Sequence, residues 1–278
     1  MKYITTQIAN MALREIVKNL VMGIGPVRRM RLRRRRTATT APSLQTLFIY
    51  AFRLPSICIK YGGSVVGKEV IEIGPGDNLA NGLTFLALGA KSYTALDRFP
   101  GPYSSPTAKS WYRLTRDNFE GTFGHKWPDL SPESFPEAYP TIRTFATPVE
   151  SAPALKADIV CSHNVAEHVS DLRSFAEANK RMLNANGIAI HVVDFGGHNW
   201  ELDPHDPFMF RRLPSWLWSA MGSNRGYPNR IPFDEFTSIM RESGLDVFAR
   251  DLKPFRYDAA VQEATFVCKP RLSCGIPG

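Results

Sequence analysis

From residue 68 to residue 268, short β-rich runs alternate with stretches of helical period, and few folds accommodate that order. KEVIEI (68–73), SYTALD (92–97), IRTFA (142–146), ADIVCS (157–162), IAIHVVDF (188–195), LDVFARDL (245–252) and a last run at 264–268 read as seven strands. Helices are expected from Asn78 to about Leu88, from Asp171 to Leu183 and from Pro232 to Ser243; Gly89, Asn186-Gly187 and Gly244 close them. Alternating strands and helices imply a parallel sheet covered on both faces. The last strand follows its predecessor without a helix, so it should run antiparallel at or near an edge. The expected fold class is α/β: a Rossmann-like, doubly wound, mostly parallel seven-stranded sheet with an antiparallel last strand, a helical N-terminal arm and two insertions forming a lid.

Those insertions, residues 99–140 and 196–230, are rich in Pro and Gly and show no clear period. All five tryptophans lie in them: Trp111, Trp127, Trp200, Trp216 and Trp218. Both leave from carboxyl ends of strands, where open α/β sheets bind their ligands, so they are expected to wall the site. Their aromatics also suit a satellite core.

The chain divides into a basic helical arm and linker, residues 1–43, and one domain, residues 44–278. The net charge is +8, yet residues 1–60 hold twelve Lys/Arg against Glu15 alone, which leaves the rest at −3. A mildly acidic body argues against a nucleic-acid groove there. Ile4, Ile8, Ala12, Ile16, Leu20 and Ile24 recur at helical spacing, and VRRMRLRRRR (27–36) follows. The arm either packs on the body or meets an anionic membrane surface, with nucleic-acid contact or a targeting role as further readings. No run of about 20 uncharged apolar residues exists; LFIYAFRLPSICI (47–59) is broken by Arg53 and Pro55 and reads as a helix against the body. Cys58, Cys161, Cys268 and Cys274 form no C-x-x-C pair, which fits reduced cysteines in a cytoplasmic protein.

The corner after the first strand, VIEIGPGDNLANGLTF (70–85), says what the sheet holds. Gly74 and Gly76 permit a tight turn and a close ligand. A dinucleotide fingerprint needs a third glycine at position 79, which is Leu79. Glu72 and Asp77 would oppose a pyrophosphate. Asp97, ending the second strand, is placed to accept from both hydroxyls of a ribose. A ligand with a ribose and a cationic portion fits, and S-adenosylmethionine has both.

The set E-x-G-x-G, Asp97, DIVCSHNVAEHV (158–169) and RMLNANGIAIHVVDF (181–195) resembles class I S-adenosylmethionine-dependent methyltransferases over about residues 66–250. It is similar to the small-molecule branch with an "EHV" helix after strand four. Asn186-Gly187 stands where that branch has Gly-Gly, and Ala166 where Leu is usual. The resemblance implies that Glu72, Gly74, Pro75, Gly76 and Asp77 shape the methionine and ribose cradle. It places Asp97 on the ribose diol, Arg98 beside the adenine, and Glu150 toward the adenine amino group. His163, Asn164 and Val165 would flank the methionine end.

Methyl transfer from a sulfonium is a direct displacement that needs alignment above all. A base is needed only for a protonated acceptor such as a hydroxyl. His168 and His198 are the candidates, with Asp194 as an orienting carboxylate; Glu167, His205 and Asp206 lie nearby in sequence, and His191 falls on the opposite strand face. H-x-x-x-E-H at 163–168 does not match H-x-x-E-H, so no metal is expected. The expected activity is O-methylation of a small secondary-metabolite, glycan or lipid-linked acceptor. The rivals are an RNA or protein methyltransferase tethered by the arginines and a non-catalytic partner subunit.

Overall fold

In the computed structural model, the described residues are 2–27, 30, 44–198, 208–224, 226–255 and 258–271, with side chains from residue 9 onward and not at 258–259. Most of the arginine run, the linker, Trp200, His205, Asp206 and Cys274 lie outside them.

Seven strands form one sheet in the order β3-β2-β1-β4-β5-β7-β6. They are β1 (Glu69–Ile73), β2 (Ser92–Leu96), β3 (Ile142–Phe145), β4 (Ala157–His163), β5 (Leu183–Asp194), β6 (Leu245–Phe255) and β7 (Asp258–Pro270). The first five pair in parallel. β7 runs antiparallel to both β5 and β6. It therefore slots beside the edge strand β6, as a strand reached by a tight connection can. The sheet is Rossmann-like and doubly wound, and its order reverses between β1 and β4. That reversal opens a crevice at the carboxyl ends of these strands.

Alternation along the strands builds two cores. Ile71, Ile73, Val160 and Ala189 face α6 (Leu172–Met182) and α9 (Phe233–Glu242), joined by Phe175, Met182, Phe236 and Met240. Val70, Tyr93, Ile159, Cys161 and Ile190 face the other way. There they meet α4 (Ala80–Ala87), α5 (Pro106–Phe123) and the helical run before the first strand. That run comprises α2 (Leu44–Leu47), a π-turn (Phe48–Phe52) and α3 (Arg53–Gly62). It lies against the body, burying Leu47, Phe52, Leu54 and Cys58. Cys58, Cys161 and Cys268 are buried free thiols.

The first stretch read as an insertion contains a regular crossover helix. Ser105 caps α5, its hydroxyl accepting from the Ala108 amide at 3.2 Å; Pro106 opens the helix and Gly124, with φ +68°, closes it. Ala108, Trp111, Tyr112, Thr115 and Phe119 make its buried stripe. The parallel pairing of β2 with β3 requires such a crossover.

The described part of the second insertion holds α7 (Met209–Arg212) and α8 (Ser215–Gly222). The arm helix α1 (Lys2–Gly23) docks there. Ala12, Phe210, Trp218 and Met221 form a third small core, with Met11, Ile16 and Tyr227 packed on it. The Tyr227 hydroxyl donates to buried Glu15 at 2.8 Å. Buried Asn19 donates to the Ala220 carbonyl at 2.9 Å and accepts from the Asn224 amide at 2.8 Å. Phe210, Trp218 and Tyr227 thus build a satellite core with the arm while Trp216 stays exposed, and no described helix is long and apolar enough to cross a membrane.

Candidate functional site

At the tip of β1 the chain turns through Gly74 (φ +69°) and Gly76 (φ +77°), with Pro75 between them. Positive φ at both is the reason for glycine. A Cβ on Gly74 would stand 2.6 Å from Val165 Cγ2, whereas one on Gly76 would meet open space. Val165 therefore lids the first glycine, and the second leaves bare backbone facing the crevice. The Asn78 side chain accepts from the Ala80 amide at 2.9 Å, which turns the chain into α4. Half-buried Asp77 sits under Gly101, whose own Cβ would lie 2.6 Å from the Asp77 Cα.

Glu72 does not face the crevice. It is 2% exposed and accepts from Asn81 Nδ2 at 2.9 Å and from the Tyr93 hydroxyl at 2.5 Å. Burial raises its pKa to about 7, against the pull of those two hydrogen bonds. Its place in the cradle is thus indirect: it ties β1 to α4 and β2 beneath the glycine turn. Asp97 spans the corner, Oδ2 accepting from the Gly76 amide at 3.1 Å and Oδ1 from the Phe99 amide at 2.7 Å. Arg98 is exposed, with its guanidinium 5.3 Å from the Phe99 ring centre. Glu150 stands in a short 3₁₀ turn (Val149–Ser151) past the tip of β3. That tip adjoins Asp97, whose amide donates to the Phe145 carbonyl.

Past β4 lies a second group. His163 Nε2 is 2.8 Å from Arg53 Nη1, and Arg53 Nη2 bonds Glu263 at 2.5 Å. Burial and then the Arg53 charge lower the His163 pKa to about 4, so it accepts as a neutral ring. Exposed Asn164 takes a left-handed φ of +54°, and its amide donates to the Val192 carbonyl. Ala166–His168 form a 3₁₀ turn clamped by Asn229, whose side chain donates to the Ala166 and Val169 carbonyls and whose amide donates to that of Glu167.

This turn aims Glu167, His168, Asp194 and His198 at one another. His198 Nε2 lies 3.4 Å from Asp194 Oδ2 and 3.9 Å from Glu167 Oε1. The His168 and His198 rings meet edge to face, centroids 4.8 Å apart. Glu167 is 3% exposed, and neither carboxyl oxygen has a hydrogen-bond partner among the described residues. The Glu167 and Asp194 backbone groups approach it without reaching bonding geometry. Burial, and the nearby Asp194 charge, hold its pKa well above the usual carboxylate range. Asp194 stays below that range despite partial burial, because His198 stands close by and the Gly196 amide bonds it. Burial and then the neighbouring His198 push the His168 pKa down to about 4, against the pull of the Gly226 backbone and the Asp194 charge. Glu167 and Asp194 also line a small pocket with Phe210, Asn229 and Ile231, with room for about one water-sized occupant. His191 is fully buried on the other face, within 2.8 Å of Ser162 Oγ, with its pKa lowered to about 3 by burial.

The structure therefore gathers Gly74, Gly76, Asp77, Asp97 and Val165 at one corner, and His168, Asp194 and His198 at the neighbouring strand tips. Sequence reasoning placed Glu167 beside the bases without giving it a role. Its place in an H-x-x-x-E-H run just past a strand end was the only signal.

No protein-family profile and no curated protein matches the chain. Among solved structures it is similar to the citrinin polyketide synthase CMeT domain, at 14% identity over 73% of this chain with TM-score 0.43. The CurJ carbon methyltransferase gives 11% over 82% with TM-score 0.44. The Burkholderia thailandensis 1,6-didemethyltoxoflavin-N1-methyltransferase, solved with S-adenosylhomocysteine, gives 13% over 83%, covering 82% of that chain, with TM-score 0.49. The matched region spans 46% of the first of these chains and 58% of the second.

Proposed function

We propose that this protein is an S-adenosylmethionine-dependent methyltransferase acting on a hydroxyl of a small molecule. The observation that carries the reading is the Asp97 carboxylate at the tip of β2, accepting from the Gly76 amide, with bare glycine backbone beside it. When bound, S-adenosylmethionine supplies an electrophilic methyl on a cationic sulfur. Asp97 would hold the ribose diol, with Arg98 and Glu150 toward the base. Gly74, Pro75, Gly76 and Asp77 would frame the amino-acid end together with Asn164 and Val165. His163, held by Arg53, shapes the rim from below.

The acceptor would enter beside His168 and His198. Asp194 faces His198 Nε2, which orients the ring and leaves Nδ1 free to take the hydroxyl proton; the carboxylate then steadies the imidazolium. Excluding water and fixing the acceptor geometry supply the rest.

Calorimetric titration with S-adenosylhomocysteine and NAD in parallel tests the cofactor; micromolar binding of the first and none of the second is expected. Asp97→Ala should weaken the first by roughly 1.5–3 kcal/mol. An unchanged dissociation constant removes Asp97 from the site, and NAD binding removes the reading. Labelled-methyl transfer to a panel of phenols, sugars and amines then identifies the acceptor.

The arm supports peripheral contact with an anionic membrane. Leu13, Val17 and Leu20 lie exposed on α1 and Ile24 just beyond its end, Leu20 at 64%, and the arginine-rich sequence follows. Co-sedimentation with vesicles containing anionic lipid, but not with zwitterionic ones, is expected; Leu13→Ser with Leu20→Ser should abolish it. Equal sedimentation of the variant ends this part of the proposal.

A further inference from the structure

We infer that Glu167, His168 and His198, with Asp194, form a binding site for one divalent transition-metal ion. Its members come from separate elements and meet through the 3₁₀ turn after β4 and the loop after β5. One ligand atom from each of Glu167, His168 and His198 lies within 4.8 Å of the other two. A tetrahedral ion with bonds of about 2.1 Å sets its ligands about 3.4 Å apart, so small side-chain rotations close the site. Asp194 Oδ2, 3.4 Å from His198 Nε2, adds a second negative charge beside this set, whose three ligands leave a fourth position open.

The independent sign of a ligand is Glu167 itself. A carboxylate buried to 3% exposure, with both oxygens unpartnered among the described residues, is costly unless something compensates it. His198 Nε2 is likewise buried without a hydrogen-bond partner among the described residues. His198 also holds a left-handed φ of +49°, a conformation kept only when the surroundings enforce it. The Asn229 clamp on the Glu167 and Ala166 carbonyls fixes the turn from behind, as a supporting shell does for ligands that must converge. Mixed imidazole and carboxylate donors suit manganese, iron or zinc better than calcium, which prefers oxygen alone. His168 faces solvent, so an incoming oxygen can reach an open position.

The site stands on these contacts alone; its use rests on the methyltransferase reading. An ion there would hold the acceptor's oxygen beside the cofactor corner and favour its deprotonated form, the proton leaving to solvent. His168 and His198 would then be ligands, and the acceptor class narrows to oxygen nucleophiles able to bind a cation.

The test uses the full chain, stripped with EDTA and titrated separately with manganese(II), cobalt(II) and zinc(II), with S-adenosylhomocysteine titrated into the same samples. One equivalent of ion should bind, with cobalt giving visible bands of low-symmetry nitrogen and oxygen ligation. Glu167→Gln and His198→Ala should each weaken binding at least about tenfold with an unchanged circular dichroism spectrum. His168→Asn, at an exposed ring, gives the same reading should either variant fail to fold. Absence of saturable binding, or binding that survives all three changes, overturns the inference. Ion binding without S-adenosylhomocysteine binding would keep the site and remove the methyltransferase reading; the reverse would do the opposite.

Discussion

At the tip of β1, Glu72 hands its carboxyl oxygens to Asn81 and Tyr93; past the end of the neighbouring strand β4, Glu167 is buried as deeply and hands its oxygens to nothing described. Both acids lie under turns that open onto the same crevice. The first is part of the scaffold, since its hydrogen bonds lock a strand, a helix and a neighbouring strand beneath the glycine turn. The second has neighbours of its own charge and two imidazoles. A fold can keep an acid inside by completing it internally or by leaving it to be completed from outside. That contrast separates support from site more sharply than position in the sequence does.

The most damaging change should fall on the completed side. Gly74→Val puts a β-branched residue at φ +69° and drives a Cβ into Val165, for a cost of about 3–5 kcal/mol. Thermal denaturation and S-adenosylhomocysteine titration should both register it; a variant within threefold of the parent affinity would mean that the turn is not the cradle.

A paired measurement addresses the contrast directly. Tyr93→Phe removes a buried donor to Glu72 and should destabilise by about 1–3 kcal/mol. Glu167→Gln in metal-free protein removes a costly acid that has no bond to lose, and should be neutral or slightly stabilising. Equal losses in chemical denaturation would erase the distinction.

The smallest effect is a pH slope. Native Glu72 keeps its proton up to about 7, while the unfolded chain releases it near 4.5, so between these values its contribution to stability falls as pH rises. His163, with its native pKa about 4 against 6.5, acts in the opposite sense over pH 4–6.5, because only the unfolded chain is protonated there. The two oppose each other in the parent. Glu72→Gln should therefore gain on it progressively from pH 4.5 to 7, by on the order of 2 kcal/mol. A constant difference across that range would show that Glu72 is ionised in the native state.

Much of the sheet was legible because strand period and helix caps are local signals. β1, β2, β4 and β5 and the helices opening at Asn78 and Asp171 fall within a few residues of their expected places. The crossover helix α5 was also written locally, in Ser105-Pro106 and the stripe from Ala108 to Phe119, but the surrounding prolines and glycines drew the eye to loops. The lengths of β6 and β7 were not legible, since their polar outer halves are held by pairing with each other, which no window of one strand reveals. At the site, Asp97 followed from its place at a strand end. The convergence of Glu167 with His198 did not, because the two are 31 positions apart and a left-handed turn sets the second.

Arg53 carries a last consequence. Rooted in a helix that precedes every strand, it grips His163 at the end of β4 and Glu263 on β7. The crevice floor is thereby fastened at the sheet's point of reversal by a segment that an outline of strands would treat as dispensable. A version of the chain begun at residue 66 would retain all seven strands yet lose that fastening and the cover over Cys161, and the mouth of the crevice would drift open from its underside.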